Sequence, residues 1–347
     1  MKYLKIIHGI NKYIWFITIL LYFTVYLGML FQIVLGFVQV GCAIYLLFNF
    51  NKLDPFTQKR LKRYFSFVVL NFLAIFTLFL FQNDFYNFLF LFFFPVLIAF
   101  YFYFLTANFN NNSFLLAKWN NLLIINYEID PNVLLKYVPK GTELDYFNDK
   151  CYVSLVGFMF KNVKLLGFKI PFHINFEEVN LRFYVKRFEN NEWKRGVVFV
   201  KEIVPKPALA IVANTFYKEH YQTLPMKHSI IENKNSKDFV YQWKTKNKWN
   251  TILVETEKNP IEIEVNSEAE FITEHYFGYT KVNKEKTFEY EVKHPRWKQY
   301  NVTNHQIDVN FGEVYGNEFE FLNNQKPISV MLAIVSEISV ENKKRIV

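Results

Sequence analysis

The sequence predicts two regions of different class. The first is an α-helical membrane region of four transmembrane helices. The second is a mainly antiparallel β domain with a few helices, closed as a barrel or cone. Three observations predict this. Residues 13–50, 64–83 and 85–109 carry no charged side chain, and uncharged apolar stretches of about 18 residues or more mark membrane-crossing helices. Residues 108–113, N-F-N-N-N-S, form a short polar linker. Beyond it, strand-like runs alternate with turn signals to the end of the 347-residue chain, and sheets of many antiparallel strands close on themselves to remove exposed edges.

The helical spans follow from length. As one helix the first uncharged run would be about 57 Å long at 1.5 Å per residue, against a hydrocarbon core of about 30 Å. Two helices with a tight turn near residues 28–32 fit better, giving spans at 8–28, 31–50, 65–83 and 86–106. Lys2 and Lys5 precede the first span as in a signal peptide, but no small-residue cleavage site follows, so the segment is expected to stay. Orientation follows from the basic residues. Lys2, Lys5 and Lys12 lie at the first span, and Lys52, Lys59, Arg60, Lys62 and Arg63 lie between spans two and three. The loops at 28–32 and 82–87 have none. Four spans put the N-terminus, the basic loop and the C-terminal domain on the cytoplasmic side of the inner cell membrane. Beyond His8 and Lys12 at the start of the first, the spans hold no Lys, Arg, Asp, Glu or His, which argues for an anchor or an interface with another membrane protein over a transporter or pump.

Charge divides the same way. The chain carries +9, and residues 1–110 hold eight Lys/Arg and two Asp/Glu, a net of +6 that leaves +3 for the rest. The excess is mostly the membrane signal, with the lipid bilayer as partner. No dense basic helix or Gly-rich aromatic signature points to nucleic acid. Cys42 and Cys151 fall in separate regions, so no disulfide framework is expected.

In the β domain, taken as residues 114–340, Asp130-Pro131 starts a short helix with Asp as N-cap and Pro at the first position, ended by the break at Pro139-Lys140-Gly141. Residues 152–160, 176–186 and 196–204 read as strands. Residues 205–221 read as a helix, with Pro207 near its start. Strand-like runs then follow at 239–243, 251–255, 261–265, 287–293 and 328–335. Residues 341–347 read as a frayed polar tail. Within 176–186 the sequence alternates: Val179, Leu181, Phe183 and Val185 are apolar, whereas Glu178, Asn180, Arg182 and Tyr184 are polar. Successive strand residues face opposite sides, so the polar four stand in one row. On periodicity alone that row suits water.

Trp119 through Asp130-Pro131, V-P-K-G-T-E-L-D-Y-F at 138–147, the run 152–160, E-V-N-L-R-F-Y-V at 178–185, F-I-T-E-H-Y at 271–276 and H-P-R-W at 294–297 occur in order. This set resembles the YqjF-like bacterial domain of unknown function, of the acetoacetate-decarboxylase-like superfamily, over nearly all of the β domain and none of the helical region. The resemblance implies a mostly antiparallel β cone with an internal pocket, and a polar row that points into it. Decarboxylases of that superfamily use a lysine with a lowered pKa that forms a Schiff base. In the comparable stretch here, residues 217–225, Tyr221 and Gln222 stand where the lysine pair would be. Lys218 and Lys227 are out of register, which places Schiff-base chemistry in doubt.

If the row faces inward, Arg182 is its most informative member, because a guanidinium presents paired donors that suit a ligand carboxylate. Glu178 suits either a structural pair with Arg182 or a general base. Burial would raise its pKa and Arg182 would lower it. Asn180 and Tyr184 could orient a ligand oxygen, and Glu274 is a second carboxylate that could approach. The histidines form no HxH, HExxH or Cys/His cluster, so no metal is expected. No phosphate loop or dinucleotide fingerprint calls for a cofactor. The expected ligand is a small organic acid or amphiphile. A non-Schiff-base lyase or hydrolase and a ligand-free structural protein are the competing readings, and homo-oligomerisation stays open.

Overall fold

A computed structural model describes residues 2–21, 25–53, 55–81, 89–107, 113–165, 169–334 and 336–347. It divides into two compact units, residues 1–112 and 113–347.

The first unit holds helices α1 (Lys2–Leu21), α2 (Val25–Phe48), α3 (Pro55–Phe81) and α4 (Phe94–Ala107), the last preceded by a π-helical turn, Leu89–Phe93. Ile7, Leu46, Leu61 and Phe102 form a buried apolar cluster, but the outward faces are apolar as well. Phe16, Leu20, Phe37, Phe72 and Phe76 are exposed. Asn11, Gln39 and Thr106 are buried, and Asn11 Nδ2 donates to Thr106 Oγ1 (3.1 Å) while Gln39 Nε2 donates to Asn11 Oδ1 (2.7 Å). Among the described residues only 27–48 form a helix both long and apolar enough to cross a membrane, and residues 94–106 form a shorter apolar one. Helices thus lie in all four expected spans, but α1 carries Lys5 and Lys12 and α3 begins with the basic cluster 59–63. The expected turn at 28–32 is incorrect: those residues continue α2, because a lone Gly28 is tolerated in a helix flanked by apolar residues. The loop at 82–87, residues 108–112 of the linker expected at 108–113, Gly167 and Val335 lie outside the described residues, and Ser113 already belongs to the first strand of the second unit.

The second unit is mainly β. Its strands are β1 (Ser113–Glu128), β2 (Glu143–Leu144), β3 (Tyr146–Phe147), β4 (Lys150–Leu165), β5 (Phe176–Glu189) and β6 (Glu192–Val204). They continue with β7 (Tyr221–Thr223), β8 (Met226–Glu232), β9 (Ser236–Lys244), β10 (Trp249–Glu262), β11 (Phe277–Asn283) and β12 (Lys286–Lys293). The last four are β13 (Lys298–Asp308), β14 (Ser329–Ala333), β15 (Ser336–Glu341) and β16 (Lys344–Arg345). Pairing runs β4-β5-β6-β11-β12-β15-β1, and β1 pairs back with β4, so these strands close a ring. The other part of β1 pairs with β14, which carries a second arm, β13-β10-β9-β8. Pairing is antiparallel except β6 with β7 and with β11.

Helix α5 (Pro131–Leu134) begins as expected, with the Asp130 carboxylate accepting from the Asn132 amide at 2.9 Å. Gly141 turns the following loop with φ +84°. Three expectations need correction. Residues 205–221 are not one helix. They form α6 (Pro207–Val212), a π-helical turn (Ala213–Tyr217) and then β7, because Lys218 adopts a left-handed φ of 63° that ends the helical path. The runs at 251–255 and 261–265 are not separate strands: the first and the start of the second belong to β10, which shifts register before Pro260. The C-terminal tail is not frayed throughout, since β16 pairs with Phe288 and Glu289, and Lys344 Nζ reaches the buried Glu289 carboxylate at 2.9 Å.

Two hydrophobic cores result, and β5 separates them. Its odd residues Val179, Leu181, Phe183 and Val185 pack with Leu155, Tyr241 and Trp243 beneath the second arm. Its even side faces the interior of the ring, with Tyr184 in the core of Val156, Phe158, Phe271 and Trp297. Both faces of β5 are covered.

Candidate functional site

Glu178, Asn180, Arg182 and Tyr184 are 2, 2, 7 and 1% exposed, so the polar row does not face water. The first three line a cavity of about 290 Å³, partly open to the surface, whose remaining wall is mostly apolar and aromatic, including Phe158, Phe160, Phe176, Trp119 and Trp297. Along β5, Glu178 and Arg182 lie about 13 Å apart at 3.3 Å per residue, so the cavity has an acidic end and a cationic end.

The acidic end is built by register. Asn180 pairs with Glu202 on β6, and β7 runs parallel beside β6, setting Tyr221 next to Glu202. Glu178 accepts from Asn180 Nδ2 (3.0 Å) through one oxygen and from the Tyr221 hydroxyl (3.2 Å) through the other. Glu219 accepts from Thr280 Oγ1 at 2.6 Å, and it borders both this cavity and a smaller polar one of about 160 Å³ beside His220. Burial raises Glu178 to about 7. The Asn180 and Tyr221 hydrogen bonds oppose the rise, Glu219 adds to it, and Arg182 opposes it least. Desolvation therefore outweighs the arginine. Glu202 is pushed up further by burial, then by Glu219 and Glu178. Glu219 is only half-buried by exposed area because it borders open space, yet the protein around its carboxyl still raises it to about 7.

At the cationic end, Glu178 and Arg182 do not form the structural pair that the sequence allowed. The Arg182 guanidinium has no ion pair among the described residues, and its buried Nε has no hydrogen-bond partner. It rests over the Tyr184 ring at 5.8 Å. Tyr184 itself borders no part of the cavity. Its hydroxyl is bonded to Ser154 Oγ (2.7 Å), which donates to Asn126 Oδ1 (2.5 Å), so it is not free to orient a ligand. Glu274 does not join the site either, because it caps the end of α7 (Glu268–Thr273) and accepts from the Tyr276 hydroxyl.

Buried polar atoms normally have partners. Here Trp119 Nε1, Asn180 Oδ1, Arg182 Nε, Glu202 Oε2 and His275 Nδ1 have none, and all five belong to cavity-lining residues. The cavity thus combines an apolar wall with a few unsatisfied donors and acceptors, the make-up common to ligand pockets. No lysine lines it. Lys218 is exposed, and Lys227 lies over the Trp249 ring at 4.5 Å. No cluster of three His, Cys, Asp or Glu suited to a metal occurs among the described residues.

Sequence reasoning missed Glu202, Glu219 and His275, and it considered Tyr221 only as the occupant of a lysine position. Glu202 interrupts the Val-rich run of β6, and its facing Asn180 across the sheet is the one signal that could have found it.

Among solved structures similar to this chain are acetoacetate decarboxylase from Legionella pneumophila subsp. pneumophila str. Philadelphia 1 and the enduracididine biosynthesis enzyme MppR complexed with pyruvate. The decarboxylase is 12% identical with a TM-score of 0.46, and the match covers 68% of this chain and 86% of that one. MppR is 9% identical with a TM-score of 0.48, covering 67% and 90%. The uncharacterized protein YqjF of Bacillus subtilis (strain 168) is 28% identical over 196 residues, which is 55% of this chain and 77% of YqjF. The DUF2071 model, described as an uncharacterized conserved protein, matches residues 116–336. With more than half of its length inside that match, the chain belongs to the DUF2071 family.

Proposed function

We propose that the β domain binds a small organic acid with an apolar body, its carboxylate on Arg182 and its hydrocarbon against the aromatic wall. The observation that carries this reading is the Arg182 guanidinium, 7% exposed, without a carboxylate partner and at the edge of an apolar cavity. An uncompensated buried cation costs several kcal/mol, and an anionic ligand would offset that cost. Asn180 and Glu178 flank the same wall and would shape the pocket toward its acidic end.

The domain is carried on a four-span membrane anchor, with the lipid bilayer as partner and both termini cytoplasmic. Support comes from the apolar outward faces of the first unit, with Phe and Leu exposed, and from the Asn11–Gln39–Thr106 bonds buried between helices, as in helix association within lipid. The distribution of Lys and Arg supports the orientation. Reporter fusions after Val347 and within residues 51–64 should both report cytoplasm.

The test of ligand binding is a thermal-shift panel of monocarboxylic acids on the detergent-solubilised chain. Acids that raise Tm in the wild type should leave Arg182→Ala unmoved. Equal shifts in both proteins, or none with any acid, would remove the proposal and favour a structural role. A second reading, a lyase or hydrolase without a Schiff base, is favoured by the raised pKa of Glu178 at the cavity wall, which keeps a proton available near neutrality. Turnover of a bound acid that disappears in Glu178→Gln while binding persists would establish it.

A further inference from the structure

His275 is absent from the function above, yet it is the most completely specified polar group at the cavity. It stands two residues beyond α7, its side chain is 1% exposed, and it lines the cavity. Its Nε2 lies 3.3 Å from Asp145 Oδ2, and the same oxygen accepts from Arg195 Nε at 2.6 Å. Burial pushes Asp145 up, but the hydrogen bonds from His275 and Arg195 outweigh it and hold the carboxyl below its ordinary range. An ionised carboxylate only accepts, so Nε2 carries the ring proton. Burial also lowers His275, to about 4, so the ring is neutral near pH 7 and Nδ1 keeps a bare lone pair. That lone pair has no partner within the protein among the described residues.

The ring is fixed as firmly as its tautomer. It lies tilted against Tyr184 with ring centres 4.7 Å apart and meets Phe271 edge-on at 5.1 Å. Tyr184 is also the ring beneath Arg182, at 5.8 Å. One aromatic ring thus carries a strong donor on one neighbour and an obligate acceptor on the other. Arg182 and Arg195 are the cations that face His275, and Asp145 is the anion.

Given the acid-binding reading, on which this inference rests, we propose that the ligand is a hydroxy acid: its carboxylate accepts from Arg182 and a nearby hydroxyl donates to His275 Nδ1. A simple acid would leave that nitrogen unsatisfied. An oxo acid would set a carbonyl oxygen against it, lone pair to lone pair. Sites that hydrogen-bond a ligand hydroxyl discriminate strongly against analogues lacking it, because their own buried group is left unpaired.

The experiment is calorimetric titration of the full chain in nanodiscs with hexanoate, 2-hydroxyhexanoate and 2-oxohexanoate at pH 7. The hydroxy acid should bind at least about tenfold more tightly than the other two. In His275→Phe the three should converge to within about twofold while hexanoate still binds. Equal wild-type affinities, or a preference for the oxo acid, would overturn the hydroxy-acid assignment and leave acid binding intact. Absence of binding by all three would overturn the acid-binding reading and this one with it. The wild-type ranking alone decides the question if His275→Phe fails to fold.

Discussion

On the odd face of β5, Val179, Leu181, Phe183 and Val185 are fully buried and packed against other apolar side chains. On the even face, Glu178, Asn180 and Arg182 are buried almost as deeply, but around a cavity. One strand thus divides a close-packed core from a polar-edged void. Burial by itself does not distinguish stability from function. On β5 the distinction lies in what the buried groups border, packed side chains or the cavity. Phe183 is enclosed by apolar side chains, whereas Arg182 Nε and Asn180 Oδ1 line the cavity without a hydrogen-bond partner among the described residues.

The contrast can be broken most sharply by truncation on each face. Phe183→Ala should cost about 3–5 kcal/mol in denaturant unfolding, as expected for a buried aromatic that leaves a cavity. Arg182→Met should cost less than about 1 kcal/mol or raise stability, since it removes an unpaired buried charge at similar volume, while weakening acid binding at least tenfold. Comparable destabilisation by the two would erase the difference between the faces.

Titration sharpens the same point. Glu178 has a folded pKa near 7 against an ordinary 4.5. In the window between, the unfolded state has released the proton and the folded state still holds it. This group therefore contributes most to stability below about pH 4.5, and its contribution falls as pH rises toward 7. Glu178→Gln should flatten the pH profile of Tm and stand a few degrees above wild type at pH 8. A steeper profile would contradict the burial argument.

A smaller effect separates Tyr184 from its neighbours in the row. Tyr184→Phe removes the Ser154 bond and should cost about 1 kcal/mol, with acid affinity unchanged because the hydroxyl borders no cavity. The smallest expected effect is none: Lys218→Ala should leave acid binding as it was, and borohydride with acetoacetate should leave the wild-type mass unmodified.

Much of this contrast was legible in the sequence, and the limit is physical. Alternation from Glu178 to Val185 identified the strand and its two rows. It could not say that both rows are covered, because that depends on strands far away in the chain closing over β5. The resemblance to YqjF-like domains supplied the inward direction of the row, and periodicity alone favoured water. Glu202, Tyr221 and His275 reach the site through β6–β7 pairing and the end of α7, and no local pattern encodes that proximity. Glu274 and His275 show the cost: adjacent residues differ in direction, and only the assembled fold reveals that His275 is the one that borders the cavity. In the helical unit, absence of charge locates the apolar stretches, but the turn expected at 28–32 is helix, because a glycine within an apolar run does not by itself mark a turn.

The most direct test is crystallographic placement of 6-bromohexanoate in the full chain, with bromine located by anomalous scattering. The carboxylate should lie about 2.7–3.2 Å from Arg182 nitrogens, with bromine against the aromatic wall of the cavity. A carboxylate bound elsewhere, or bromine at Arg182 with the acid group turned toward Glu178, would contradict the account.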